Sequence, residues 1–100
     1  MNEPIKLYTV TYSERVRDHL RSQQAIAIER GDGDKFLFAV TEFTRRLAIY
    51  PQFGDPLNDV NEYRGQLRIG IIPPLTMRYG VLEDERLVFV TALPVLMAMK

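Results

Sequence analysis

The chain has 100 residues, 46% of them hydrophobic and 26% charged, and its 13 basic and 13 acidic residues give a net charge of zero. A chain of this length holds one hydrophobic core, so we expect a single domain over 1–100, and the composition excludes disordered, collagen-like and low-complexity proteins. There is no cysteine and only one histidine, His19, which excludes disulfide scaffolds, thiolate metal sites and cysteine nucleophiles. We therefore expect neither a metal site nor a cofactor.

The start of the chain lacks the basic residues and apolar stretch of a secretory signal. No apolar run approaches the ~20 residues that a membrane-spanning helix needs. We therefore expect a cytoplasmic protein with no membrane partner. Ten of the 13 basic residues are arginine, which suits bidentate binding of phosphate and carboxylate and is also common in proteins from GC-rich genomes.

The first half of the chain predicts one strand and two helices. Residues 6–12 are rich in β-branched and aromatic side chains, which is typical of a strand. Ser13 is a suitable N-cap for a helix that runs to about Glu29, and Gly31 can end it in the left-handed conformation. A second helix is predicted over about 34–50, because apolar residues recur at spacings of four and three. Its apolar stripe consists of Phe36, Val40, Phe43, Leu47 and Tyr50.

The second half predicts three strands at 66–72, 75–82 and 87–93, separated by Pro73-Pro74 and by a charged turn at 83–86. In the first of these strands, the alternation puts Leu67, Ile69 and Ile71 on an apolar face and Gln66, Arg68 and Gly70 on a polar face. In the second, it puts Leu75, Met77, Tyr79 and Val81 on the apolar face and Thr76, Arg78 and Gly80 on the other. Because helices pack on apolar sheet faces, we expect both arginines on the face away from the helices.

The predicted fold is a two-layer α+β domain with the order β-α-α-β-β-β. The last three strands form an antiparallel meander, since short turns join them, and the helical hairpin packs on one face of the antiparallel sheet. The first strand joins the sheet at an edge or beside the last strand. The opposite face of the sheet is left partly open.

This order resembles the RelE/ParE superfamily of toxin–antitoxin and plasmid-stabilisation proteins, and the resemblance covers nearly the whole chain. Its members share alternating aromatics in the first strand, a long helical hairpin and a proline- and glycine-containing loop that ends in Pro-Leu. An arginine-bearing strand, a strand ending in tyrosine and an apolar strand follow. In this sequence the corresponding features are residues 8–12, the hairpin broken at Gly31, and residues 51–57, 64–68, 78–81 and 87–90.

The resemblance implies a toxin-like component that is inhibited by a small antitoxin protein. One branch of the superfamily cleaves messenger RNA on the ribosome, and another poisons DNA gyrase. The cleaving branch uses arginine or lysine with a glutamate or histidine, and an aromatic or histidine near the C-terminus. Here Thr76 stands where the usual arginine would be, and the residues after Leu93 include no histidine, tyrosine or arginine. We therefore favour macromolecular binding with degenerate or absent ribonuclease chemistry over a ribosome-dependent mRNA endoribonuclease.

The predicted binding residues are Arg64, Arg68, Arg78 and Tyr79. If Arg68 and Arg78 pair across adjacent strands, they form a cationic patch for a phosphate or an acidic partner. The alternative is that they are solvated arginines paired with nearby carboxylates. The apolar residues 95–99 either fold under the sheet or contact a second chain, which could be an antitoxin or a homodimer partner. The alternative function is a non-toxic adaptor that keeps only the fold and its pairing surface.

Overall fold

A computed structural model describes residues 6–57 and 65–97 of the chain. The longer elements follow the predicted order β-α-α-β-β-β and confirm the α+β class, while two strands of two residues each were not predicted. The elements are β1 Thr9–Thr11, α1 Glu14–Glu29, α2 Gly33–Ile49, β2 Asp55–Pro56, β3 Gln66–Ile72, β4 Leu75–Leu82, β5 Leu87–Val90 and β6 Val95–Leu96.

The helical hairpin begins and turns where the local chemistry predicts. The Ser13 hydroxyl accepts a hydrogen bond from the Val16 amide at 3.1 Å, which caps the start of α1. Gly31 has a φ of 81°, the left-handed conformation that lets the chain leave α1 and enter α2 within three residues.

The predicted stripe of α2 is buried at Phe36, Phe43 and Leu47 and half-buried at Val40. Tyr50 is exposed instead, because the helix ends at Ile49.

The sheet has the strand order β1-β5-β4-β3-β2, and β6 pairs with β4 beyond the end of β5. The strands β3, β4 and β5 form the predicted antiparallel meander. The first strand lies beside β5, one of its two expected places. It runs parallel to β5, so the sheet as a whole is mixed rather than antiparallel throughout.

The core lies between the helical hairpin and one face of the sheet, which we call the helix face. On β4 this face carries Leu75, Met77, Tyr79 and Val81, all of them fully buried, as the alternation predicted. We call the opposite side the distal face. It carries Leu67, Ile69 and Ile71 on β3 and Thr76, Arg78 and Gly80 on β4, with Phe89 on β5 and Val95 on β6 beside them.

The faces of β3 are the reverse of the prediction. A two-residue turn pairs Ile72 with Leu75, and the side chains of directly paired residues point to the same face. Since Leu75 belongs to the core, Ile72 must point there too, and so must Gly70, Arg68 and Gln66 by the two-residue repeat of a strand. The more apolar set, Leu67, Ile69 and Ile71, is thereby turned to the distal face.

Gly70 shows why a residue with no side chain is needed on the helix face of β3. It is buried, and a Cβ at this position would lie 3.0 Å from ring carbons of both Phe43 and Phe53. These two rings, whose centroids are 6.0 Å apart, occupy the space above the strand. The apparent polar face of β3 is therefore a packed surface, with Gly70 making room for aromatic rings.

The start of the apolar tail joins the sheet. Val95 and Leu96 pair with Thr76 and Leu75, and the Met97 amide donates to the Pro74 carbonyl at 2.7 Å. Leu96 packs against the core, whereas Val95 is 57% exposed on the distal face. Residues 95–97 thus extend the sheet instead of folding under it, and the remainder of the tail lies outside the described residues.

Candidate functional site

Arg68 and Arg78 lie on opposite faces of the sheet, so the predicted two-arginine patch is wrong. In the register of β3 and β4, Arg68 is paired with Tyr79 on the helix face, and Arg78 is paired with Ile69 on the distal face. The turn at Pro73-Pro74 sets this register. Arg64, the third predicted cation, lies outside the described residues.

Arg68 is directed into the loop that follows α2. One of its terminal nitrogens donates to the carbonyl oxygens of Gln52 at 3.2 Å and Gly54 at 2.6 Å. Its Nε donates to Oε1 of Gln66 at 3.1 Å. A guanidinium has five N–H groups, and here two of its nitrogens bind two backbone carbonyl oxygens of the loop and one side-chain oxygen of β3. Arg68 therefore fixes the loop against β3.

Tyr79 belongs to the same internal arrangement. It is fully buried, its hydroxyl donates to the Pro51 carbonyl at 2.5 Å, and it accepts from the Gly54 amide at 3.0 Å. Burial raises the pKa of the Tyr79 phenol to about 12, which keeps it neutral as a donor. A partner cannot reach this side chain in the folded protein, which corrects its predicted place among the binding residues.

Phe53 connects these groups in the loop. Its ring stacks on Tyr79 at a centroid distance of 6.0 Å, and the Arg46 guanidinium lies 5.5 Å from the centroid of the same ring. Gly54 has no side chain, and a Cβ there would collide with the Tyr79 hydroxyl and lie 2.7 Å from the Ile69 carbonyl. The loop is therefore built for close packing.

Arg78 has different surroundings. It is exposed and lies in a depression of about 260 Å³ on the distal face, where β4 meets the chain segment between β5 and β6. Apart from Arg78 and Thr76, the lining is apolar, and it consists of Ile69, Ala92, Leu93 and Val95. The site is thus one cation set among aliphatic side chains.

The guanidinium of Arg78 makes no hydrogen bond or ion pair with any described residue. The carboxylate in the same row of the sheet is Asp55, which is paired with Ile69 across β2 and β3. It stands two strands from Arg78, or about 10 Å at ordinary strand spacing, which is beyond ion-pair distance. With respect to the described residues, the hydrogen-bonding capacity of the Arg78 guanidinium is therefore unfilled.

The lone histidine is occupied elsewhere. His19 Nε2 lies 2.9 Å from the Pro94 carbonyl, and the buried Gln23 amide donates to the same oxygen at 2.7 Å. Both side chains come from α1, so they hold the segment between β5 and β6 that borders the depression. Over residues 6–57 and 65–97, no three histidine, cysteine or acidic side chains cluster to hold a metal ion.

Sequence reasoning missed Ile69 and Leu93 in the apolar wall of the depression, and it singled out Val95 only as part of the apolar residues 95–99. A signal for Ile69 was present. If β4 turns Leu75 inward and a two-residue turn joins the strands, then Ile72 and Arg68 face inward and Ile69 faces outward. The pairing of Val95 with Thr76 carried no such signal, because a strand of two residues has too short a pattern to recognise.

No family model, curated protein or solved structure matches this chain. Among the described residues, no helix is both long enough and apolar enough to cross a lipid bilayer.

Proposed function

We propose that this chain is a toxin-like component of a toxin–antitoxin pair that acts by binding another protein through its distal face. The β-α-α-β-β-β order, on which the resemblance to the RelE/ParE superfamily rests, supports the proposal. The observation that carries it is Arg78, a cation with no ion-pair partner among residues 6–57 and 65–97, in an apolar depression on the face away from the helices.

The placement of the chemically active groups favours binding over RNA cleavage. Attack of a ribose hydroxyl on its phosphate requires proton transfer at two oxygens and cations on the developing charge. Arg68 and Tyr79 are directed into the loop after α2, and His19 is bound to Pro94. None of these three groups shares a surface with Arg78, so they cannot act together on one phosphate.

The proposed partners are a small antitoxin and a cellular protein target. DNA gyrase fits this mode better than the ribosome–mRNA complex, because a protein target does not require a cluster of cations. Nucleic-acid binding relies on several phosphate contacts, whereas the chain has zero net charge. A homodimer formed through the same face is a further arrangement that the experiment below distinguishes.

Induced expression in bacteria tests the proposal. We expect growth arrest with intact cellular mRNA, relieved when the neighbouring short reading frame is co-expressed. Arg78→Ala should abolish the arrest while the protein accumulates normally. Arg17→Ala is the matched control, since Arg17 is exposed on α1 and its side chain makes no hydrogen bond or ion pair with the described residues.

Two results would contradict the proposal. Normal growth with abundant soluble protein would favour the non-toxic adaptor. Arrest accompanied by ribosome-dependent cleavage of mRNA would establish the enzymatic alternative. Light scattering on the purified chain separates a monomer from a homodimer, and loss of the dimer in Arg78→Ala would assign the distal face to self-association.

A further inference from the structure

We propose that the Arg78 depression binds an amphipathic helix of a partner protein, one that carries a single Asp or Glu within its apolar stripe. This inference rests on the proposed function, because it specifies the partner's chemistry at the same site. The register of β4, the apolar side chains around Arg78 and the charge of that arginine support it.

The register decides what kind of segment can reach Arg78. At this residue β4 is paired on both sides, with Ile69 of β3 on one side and with the Thr91 amide, which donates to the Arg78 carbonyl at 3.0 Å, on the other. A strand added at an edge of the sheet would not contact it. The partner must lie across the face, and a helix is the single segment that can do so with its backbone hydrogen bonds already satisfied within itself.

The distal face offers an apolar surface to such a helix. Ile71 is 56% exposed and Val95 is 57% exposed, and they flank Thr76 in one row across three strands. Ile69 and Leu93 are half-buried beside them and border the same depression. Aliphatic side chains that lie exposed or half-buried together on one sheet face are typical of a surface that another protein covers.

Charge decides what the helix must carry. A guanidinium in an apolar setting binds a carboxylate through two parallel hydrogen bonds, which gives both affinity and orientation. A helix with no acid in its stripe would cover Arg78 and leave it unpaired, which is costly. Asp55 closes the same row at the β2 edge, so a second acid on that side would be repelled.

The same features disfavour nucleic acid as the occupant. Phosphate backbones are bound by several cations, and the described strand residues in the interior of the distal face include only Arg78 as a cation. Single-stranded bases stack on aromatic rings or arginine planes, and the lining of the depression offers one arginine and no ring, because Phe89 of the same face lies outside it. One acidic side chain on an apolar helix matches this surface more closely.

Selection from a displayed library of helical peptides tests the inference, with the full chain as bait. We expect enrichment of amphipathic peptides that carry one Asp or Glu in the apolar stripe. Arg78→Gln bait should bind the best such peptide roughly 10- to 100-fold more weakly, the range expected for loss of a charge-assisted hydrogen bond. Arg78→Glu bait should select Lys or Arg at the same stripe position, whereas Arg17→Glu bait should select as the wild type does.

The inference would be overturned if no peptide is enriched, or if the enriched peptides bind the Arg78→Gln bait as tightly as the wild type. It would also be overturned if a fluorescent single-stranded RNA binds tightly and this binding depends on Arg78. Amide chemical shifts at Ile69, Thr76 and Val95 must move when the best peptide is added, and shifts confined to the helices would also count against it. If Arg78→Ala abolishes the growth arrest but no peptide is selected, the proposed function is retained and only this inference is rejected.

Discussion

Arg68 and Arg78 sit on neighbouring strands, one register position apart, and have opposite surroundings. Arg68 shares a row with Tyr79 and donates to two loop carbonyls, whereas Arg78 shares a row with Ile69 and makes no side-chain contact of this kind among the described residues. The helix face uses its polar groups to hold the loop after α2. On the distal face, Arg78 has no such partner within the described part of the chain. The role of each arginine therefore follows from the side of the sheet that it occupies.

Removing the Tyr79 side chain should have the largest effect on stability. Tyr79→Ala leaves a cavity beside Phe53 and deprives the Gly54 amide and Pro51 carbonyl of their partner. We expect a loss of about 3–5 kcal/mol in the free energy of unfolding, measured by urea denaturation. Tyr79→Phe keeps the ring and should cost roughly 1–3 kcal/mol. An unchanged midpoint in both variants would show that this face is less tightly built than described.

The same tyrosine makes a prediction for pH. Its folded-state pKa is raised, from 10.0 to about 12, chiefly by burial. A raised pKa contributes stability that is fully present below the unfolded value and is lost as the pH rises through the folded value. Unfolding free energy should therefore fall between about pH 10 and 12, and Tyr79→Phe should weaken that fall.

Phenolate absorbance measures this ionisation directly. The folded chain should show a late phenolate step near pH 12, and this step should disappear in Tyr79→Phe. If the late phenolate step persists in Tyr79→Phe, the step belongs to another tyrosine. Tyr12 is the natural candidate, because burial also raises its pKa, although its hydrogen bond with Thr44 acts in the opposite direction.

Replacing Arg68 should have an intermediate effect. Arg68→Met keeps the aliphatic stem that covers β3 but removes the donors to the Gln52 and Gly54 carbonyls. Because the site is only half-buried, we expect a loss of roughly 1–2 kcal/mol in urea denaturation. Arg68→Lys should recover part of this, since one ammonium can satisfy one or two of the carbonyls. If Arg68→Met has the same melting temperature as the wild type, Arg68 has no structural role and is a solvated arginine.

Replacing Arg78 should have the smallest effect on stability. Arg78→Gln removes an exposed charge that has no partner among the described residues, so the free energy of unfolding should change by less than ~0.5 kcal/mol. The same variant should lose partner binding. A clear destabilisation would reveal a structural role for this arginine and remove it as a binding residue.

Much of the fold could be predicted because local chemistry decides it. Ser13, Gly31 and the apolar spacing of α2 fixed the helical hairpin, and the bounds of β4 and its buried face followed from strict alternation. These signals act over a few residues and need no knowledge of distant contacts. The predicted resemblance, function and partners remain predictions.

The faces of β3 were mispredicted because the more apolar set of residues in this strand is not the set that its register with β4 turns towards the core. Leu67, Ile69 and Ile71 are the more apolar set, yet the two-residue turn couples β3 to the stronger core pattern of β4. Arg68 can face inward because its donors meet loop carbonyls, which depend on the loop's three-dimensional path. The position of Arg78 in a depression likewise depends on where β6 attaches to β4, a contact between residues about 20 apart in sequence.

Selective labelling of arginine tests the contrast between the two faces most directly. The folded chain would be treated with phenylglyoxal, and modification of each arginine followed by peptide mass spectrometry. We expect Arg78 to react as fast as exposed Arg17, and Arg68, which is bound to loop carbonyls, to react much more slowly until the protein is unfolded. Equal rates for Arg68 and Arg78 in the folded chain would contradict this expectation.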